Sequence, residues 1–335
     1  MATFRMANEN GGSGPLRAPA ALLGFVALLL GFFAVGYATQ GRSIIAGLWV
    51  TEALAIALPA VILVRCANVQ FAPYLGLHPP RPRQLLLALA VGIANQPVVS
   101  LLTWGVRSLV PLDWLRDFDQ KQRALEAIFA AEAAPFLATV MIAAPLGEEL
   151  FFRGFAQPAL QRSWGPVVAV LVSGAMFALI HLDRVGFLGL WEIGVMLALL
   201  RYGTGSLWPS ILCHAVNNGI AGVSFLLGWE DPSVPPPPWL LWLGGVLLVA
   251  GLVAAAAVLA RERPPPPELP ADPREPARLR PFRAPVLEAM WLAAIVAGIG
   301  QIKDWLPALP MGAWEGLGAA AVAAVVASAL RTAPA

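Results

Sequence analysis

Charge is scarce in this chain. Of its 335 residues, 13% are Asp, Glu, Lys or Arg, where a soluble globular domain carries about 25%. That shortage excludes an ordinary soluble domain. The formal net charge is +2 and the basic residues are scattered singly, so the basic patch that a nucleic-acid partner requires is missing. Cysteine is scarce too: Cys66 and Cys213 lie in or beside apolar stretches, and no CxxC, HExxH or Cys/His cluster occurs. A disulfide scaffold and the usual zincin signature are thereby excluded. Histidine occurs three times, and lysine is rare beside arginine. The arginine bias and the abundant alanine point to a GC-rich bacterial genome.

What remains is apolar. Hydrophobic residues make up 58% of the chain, and the mean hydropathy is +0.71. A helix needs about 20 apolar residues to cross a bilayer. That rule predicts spans near 18–38, 44–64, 84–110, 134–160, 166–182, 186–202, 207–228, 238–260, 286–303 and 312–330. The first run is longer than the roughly 7–15 residues of a secretory h-region and is followed by many more, so it reads as a span and not a cleaved signal. The expected fold is an all-α polytopic membrane protein. A polar tail (1–17) precedes a core of about eight helices (18–260). A Pro-rich charged linker (261–284) then leads to a C-terminal pair of spans (285–335). Such a linker is extended and semi-rigid. With the N-terminus inside, Arg5, Arg17, Arg65, Arg81, Arg83, Arg162, Arg201, Arg261 and Arg263 all fall on the cytoplasmic side, as the positive-inside rule asks. A multi-pass protein of a bacterial inner membrane, embedded in the lipid bilayer, is the expectation. Between spans three and four, "PLDWLRDFDQKQRALEAIFAAEA" mixes charged and apolar residues at helical spacing. It reads equally as an interfacial amphipathic helix or as an ordinary extramembrane helix.

The few polar residues inside the spans are therefore informative. "APLGEELFFRGF" places Glu148, Glu149 and Arg153 in an apolar run. One charge at the centre of a membrane helix costs roughly 2.5–3.5 kcal/mol on insertion scales, so these three must face protein, water or one another. Glu149 and Arg153 are four apart and can pair on one helix face. Glu148 points about 100° away from Glu149, so its partner must come from elsewhere in the chain. Pro145 and Gly147 should loosen the helix just before it. His181 ends "FALIHL", four residues after Phe177, and His214 stands four residues before Asn218 in "ILCHAVNNG". A single membrane histidine is more often a packing hydrogen-bonder than a catalyst, and an isolated Glu/Arg pair is often a structural bridge. Three such features on neighbouring helices point to function. His78, in a Pro-rich loop, needs no such account. Glu52, Asn95 and Gln96 read as helix-packing polar groups that could line the cavity, Asn217 as projecting away from the site, and Glu192 and Arg201 as interfacial.

In order, "EELFFR" (EExxxR), "FALIH" (FxxxH) and "HAVNN" (HxxxN) resemble the CPBP family of intramembrane proteases. That family includes the CAAX prenyl endopeptidases of the Rce1-like type and the bacterial Abi-type proteins. The resemblance covers about residues 135–225. It implies a membrane-embedded glutamate protease acting on a peptide or membrane-protein substrate. In it Glu148 would be the general base, and His181 would position or activate a water. His214 and Asn218 would supply oxyanion contacts, Glu149 and Arg153 a supporting pair, and Phe177 packing beneath the site. The residue chemistry agrees: peptide hydrolysis needs a base that takes a proton from water and returns it to the leaving amine, and donors aimed at the tetrahedral oxygen.

Alternatives stay open at this level. Glu148, His181 and His214 could surround zinc and leave a fourth position to water, although the resemblance favours a reaction with no metal and no cofactor. The same cavity could serve a non-catalytic partner-binding protein. A proton-coupled transporter would be expected to show paired repeats with interrupted helices, which are not found here. In a bacterial chain, maturation of a small peptide or turnover of a membrane protein is expected ahead of cleavage at prenylated CAAX ends.

Overall fold

The computed structural model describes residues 16–67, 69–229 and 234–266. The expected N-terminal tail up to residue 15, most of the Pro-rich linker and the C-terminal pair of spans lie outside them. Within the described residues the chain is helical and contains no strand, as a bilayer demands of a chain whose backbone groups must all bond internally. Helix α1 is Ala18–Gln40 and α2 is Ile44–Cys66. A short α3 (Phe71–Leu75) ends on Gly76, whose φ of +74° is the left-handed C-cap that glycine tolerates. Helix α4, Pro82–Arg107, bends at Asn95–Pro97, where Pro97 removes a backbone donor.

One helical stretch, Leu112–Ile180, is broken twice. Glu132 leaves the helical region (φ −140°, ψ 49°). Gly165 takes φ +78°, ψ 171°, a conformation open essentially to glycine alone, and Pro166 then starts the next helix in its preferred first position. The three pieces are α5 (112–131), α6 (133–164) and α7 (166–180). Helices α8 (Phe187–Thr204), α9 (Trp208–Leu226) and α10 (Pro238–Leu259) complete the described core.

Among the described residues six helical segments are long and apolar enough to cross a membrane, and the chain is an integral multi-pass membrane protein. The expected span at 207–228 forms as α9 but is not among the six. Ser210, His214, Asn217, Asn218 and Ser224 lower its hydropathy, and most of these polar residues are buried inside the bundle. The expected span at 166–182 forms as the short α7, within the Leu112–Ile180 stretch.

Packing depends on close backbone approach. A Cβ on Gly194 of α8 would sit 2.7 Å from the backbone of Gly174 on α7, and one on Gly244 of α10 would sit 2.3 Å from the Pro97 carbonyl oxygen of α4. Small residues allow such contacts, which hold helices together where lipid offers no hydrophobic driving force. A cluster of Phe25, Phe151, Phe152, Phe155 and Phe177 fills the centre, with edge-to-face ring pairs.

The helix ends are tied at both faces of the bundle. At one, the Ala18 amide donates to Ser163 Oγ (2.9 Å), Gln84 Nε2 to the Thr204 carbonyl (3.3 Å), Ser206 Oγ to the His78 carbonyl (2.9 Å) and Gln161 Nε2 to the Arg263 carbonyl (2.7 Å). Arg162, Arg201 and Arg263 gather at this face. At the other, Lys121 of α5 donates to the His181 carbonyl (2.9 Å) and lies 3.6 Å from Asp183. The charged helix between spans three and four is therefore docked on the loop that follows α7.

Candidate active site

Helix α6 carries the two adjacent acids between two π-helical segments, Thr139–Ala143 and Leu150–Ala156. Wide turns of this kind recur at functional sites. Glu149 and Arg153 are fully buried, and Arg153 Nη1 donates to Glu149 Oε1 at 2.8 Å. The pair is held from two further sides. Arg153 Nη2 donates to the Gly194 carbonyl at 3.0 Å, and the guanidinium carbon lies 4.5 Å from the Phe177 ring centre, a cation–π contact. His214 Nδ1 donates to the same Glu149 Oε1 at 3.0 Å.

Glu148 is placed differently. It is also buried, and its Oε2, like Glu149 Oε2, has no hydrogen-bond partner, but no Arg153 or His214 nitrogen lies within bonding distance of it. The His214 Nε2 atom lies 3.9 Å from that oxygen, too far for a direct bond and suited to a bridging water or substrate oxygen. His214 therefore stands between the two acids, one nitrogen on each.

His181 is set by its own helix end. Its Nδ1 donates to the Phe177 carbonyl at 2.9 Å. That bond fixes the proton on Nδ1 and leaves Nε2 of the neutral ring as an acceptor. Phe177 packs between the two histidines, with ring centres 4.9 Å from His181 and 5.4 Å from His214. Glu148 and His214 both act electrostatically on His181. Asn218, one turn beyond His214 on α9, donates through Nδ2 to the Val140 carbonyl at 2.8 Å. One of its two N–H bonds is thus spent on α6, two turns before Glu148. Asn217 accepts from Gln96 Nε2 at 2.8 Å, away from the acids.

Two polar residues sit otherwise than a sequence reading places them. Glu52, read as a packing residue, is buried in a π-helical segment of α2 (Glu52–Ala57), and its Oε2 lacks a hydrogen-bond partner. A Cβ on Gly147 would lie 2.6 Å from that oxygen, so the Glu52 carboxyl packs against the residue just before Glu148 and interacts electrostatically with it. An acid in mid-span was the available signal, but no motif connects Glu52 to residues a hundred positions later. Arg201, read as interfacial, is buried because the turn Gly205–Ser206 folds back over it and Gly76 packs on its guanidinium. Asn95 donates to Glu192 Oε2 at 3.0 Å, which joins α4 to α8 and accounts for both.

Among the described residues no group of three His, Cys, Asp or Glu side chains is arranged to hold a metal ion. His181 Nδ1 and His214 Nδ1 are committed to Phe177 and Glu149, which leaves the Nε2 atom of each ring for other contacts.

No curated protein and no solved structure matches the chain. The stretch that builds this constellation, residues 130–220, does match a family model, that of the type II CAAX prenyl endopeptidase Rce1-like proteins, in agreement with the resemblance of its three motifs to the CPBP family.

Proposed function

We propose that the chain is an intramembrane endopeptidase in which Glu148 activates a water molecule without a metal. The observation that carries this reading is the unequal treatment of two neighbouring acids. Glu149 takes two charge-assisted bonds on Oε1, from Arg153 and His214, as a structural anchor would, while its Oε2 has no partner. Glu148 is buried with an unspent oxygen facing an imidazole. An acid kept buried without a partner is costly, and a catalytic base is a reason to keep one.

In the proposed reaction, water lies between Glu148 and the Nε2 of His181, which can accept from it. Glu148 removes a proton as the water oxygen attacks the peptide carbonyl. His214 in its cationic form carries a proton on Nε2 and donates it as a hydrogen bond to the tetrahedral oxygen, with the uncommitted N–H of Asn218 as a second donor. Glu148 then returns its proton to the departing amine. With His214 cationic, the charges of Glu148, Glu149, Arg153 and His214 cancel, which lowers the cost of burying them. Glu52, whose carboxyl packs against Gly147 beside Glu148, is a second acid available to assist the proton transfers.

The substrate class is a peptide or membrane protein that presents a bond within or beside the bilayer, in the inner membrane of a bacterium. The test is cleavage in reconstituted vesicles, with substrates trapped on the Glu148→Gln protein supplied as candidates. Glu148→Gln should abolish cleavage while leaving the fold intact, and chelators should leave the wild-type rate unchanged. Cleavage by Glu148→Gln at the wild-type rate would overturn the assignment, and chelator inhibition reversed by zinc would replace it with metal chemistry.

A further inference from the structure

A second polar site lies at the face where the arginines gather. A cavity of about 480 Å3 opens there between α6, α8 and the segment after α10. Its polar lining comes from His78, Gln157, Gln161, Arg201, Tyr202 and Arg263, and among the described residues no acidic one lines it. It is distinct from the candidate active site: Gln157 is nine residues past Glu148 on α6, roughly 13 Å along a helix axis.

Arg201 is the unusual member. It is only 4% exposed. One nitrogen, Nη1, donates to the Gly205 carbonyl, while Nε and Nη2 are buried without partners. A buried guanidinium with no counter-charge and unspent donors is expensive, and an anion in the adjoining cavity would supply what is missing. The other groups suit the same ligand. Tyr202 accepts from the Arg263 amide at 2.8 Å and so keeps its own O–H to donate. Gln157 Oε1 is a buried acceptor without a partner, suited to a hydroxyl on the ligand. Gln161 holds the Arg263 carbonyl, which keeps the segment carrying the Arg263 side chain at the cavity rim.

We propose that this cavity binds a phosphate-bearing anion. Two sources share that chemistry: the headgroup of an anionic phospholipid, for which basic pockets between helices on the cytoplasmic side are suited, and free inorganic phosphate. The site is independent of the hydrolytic reading, since it uses none of the residues assigned to catalysis.

The test uses the full-length protein, stripped of lipid in neutral detergent. Native mass spectrometry and thermal unfolding are followed on adding phosphatidylglycerol, phosphatidylcholine or sodium phosphate. Phosphatidylglycerol should bind the wild type about tenfold more tightly than phosphatidylcholine, the size of one charge-assisted contact. Arg201→Gln and Arg263→Gln should each remove the preference. Arg263 lies on an exposed segment, so its variant reports even where Arg201→Gln fails to fold. Sodium phosphate that raises the unfolding temperature of the wild type but not of Arg263→Gln identifies the soluble source. Equal binding of the two lipids together with no effect of phosphate overturns the proposal, as does a full wild-type preference retained by Arg263→Gln.

Discussion

The two adjacent acids invite opposite substitutional outcomes, and the difference can be sized. Glu149→Gln removes the only carboxylate bonded to Arg153 and also the acceptor for His214. Arg153 is fully buried, and what remains to it is the Gly194 carbonyl and the rings of Phe152 and Phe177. Stranding one member of a buried ion pair costs about 3–5 kcal/mol. At about 2–4 °C per kcal/mol for a domain of this size, the unfolding temperature should fall by roughly 10 °C. Glu148→Gln removes a buried charge that had no hydrogen bond on Oε2, so its unfolding temperature should change by less than about 2 °C or rise. The assay is thermal unfolding of both variants in the same detergent, followed by tryptophan fluorescence and by loss of monodisperse protein. Comparable destabilisation by the two substitutions, or a larger loss for Glu148→Gln, would refute the division into anchor and base.

Further outcomes follow from the same contacts. Gly147→Ala would drive a methyl group to within 2.6 Å of Glu52 Oε2 and 3.0 Å of the Glu52 carbonyl oxygen; α2 must shift, and both cleavage and unfolding temperature should fall, which a parallel activity and unfolding measurement checks. Glu52→Gln should keep the fold and slow cleavage by about tenfold or more at saturating substrate, within the usual range for losing acid–base assistance; an unchanged kcat would remove Glu52 from the reaction. Phe177→Leu should lower both stability and rate, because the one ring touches Arg153, His181 and His214. Gly194→Ala should destabilise by separating α7 from α8 at their closest approach, with cleavage lost only in proportion to the folded fraction.

Much of the architecture was legible because lipid leaves the chain few choices. Apolar runs of about 20 residues bounded by proline, glycine and arginine predict helices, and α1, α2, α8 and α10 begin and end within a few residues of the spans drawn from hydropathy. The pairing of Glu149 with Arg153 was legible from i,i+4 spacing alone, and it persists although Arg153 lies in a π-helical segment. Spacing is blind to what crosses between helices. It gave Glu148 no neighbour, and the imidazole that faces it at 3.9 Å is His214 from α9. It gave Asn218 a direction on α9 but not the Val140 carbonyl, which takes one of its donors. It left Glu52 among packing residues, because the contact that matters is made through the missing side chain of Gly147.

The same limitation explains why Arg201 passed for an interfacial residue. Its position at the end of an apolar run fits that description, and only the return of the chain through Gly205 and Gly76 buries it. Burial changes its meaning: an exposed arginine at a membrane surface is satisfied by water, whereas an enclosed one requires a partner that the described residues do not provide. Glu148 and Arg201 thus pose the same physical problem with opposite sign. Each is an ionisable side chain held inside the bundle with hydrogen-bonding capacity unspent, one near the centre of α6 and one beside its far end. In a chain that carries so few charges, each of these two has a use, water and substrate at the first and an anion at the second. Single substitutions separate those uses: Glu148→Gln should leave anion binding at the wild-type level, and Arg263→Gln should leave Glu148-dependent cleavage intact in vesicles of phosphatidylcholine alone.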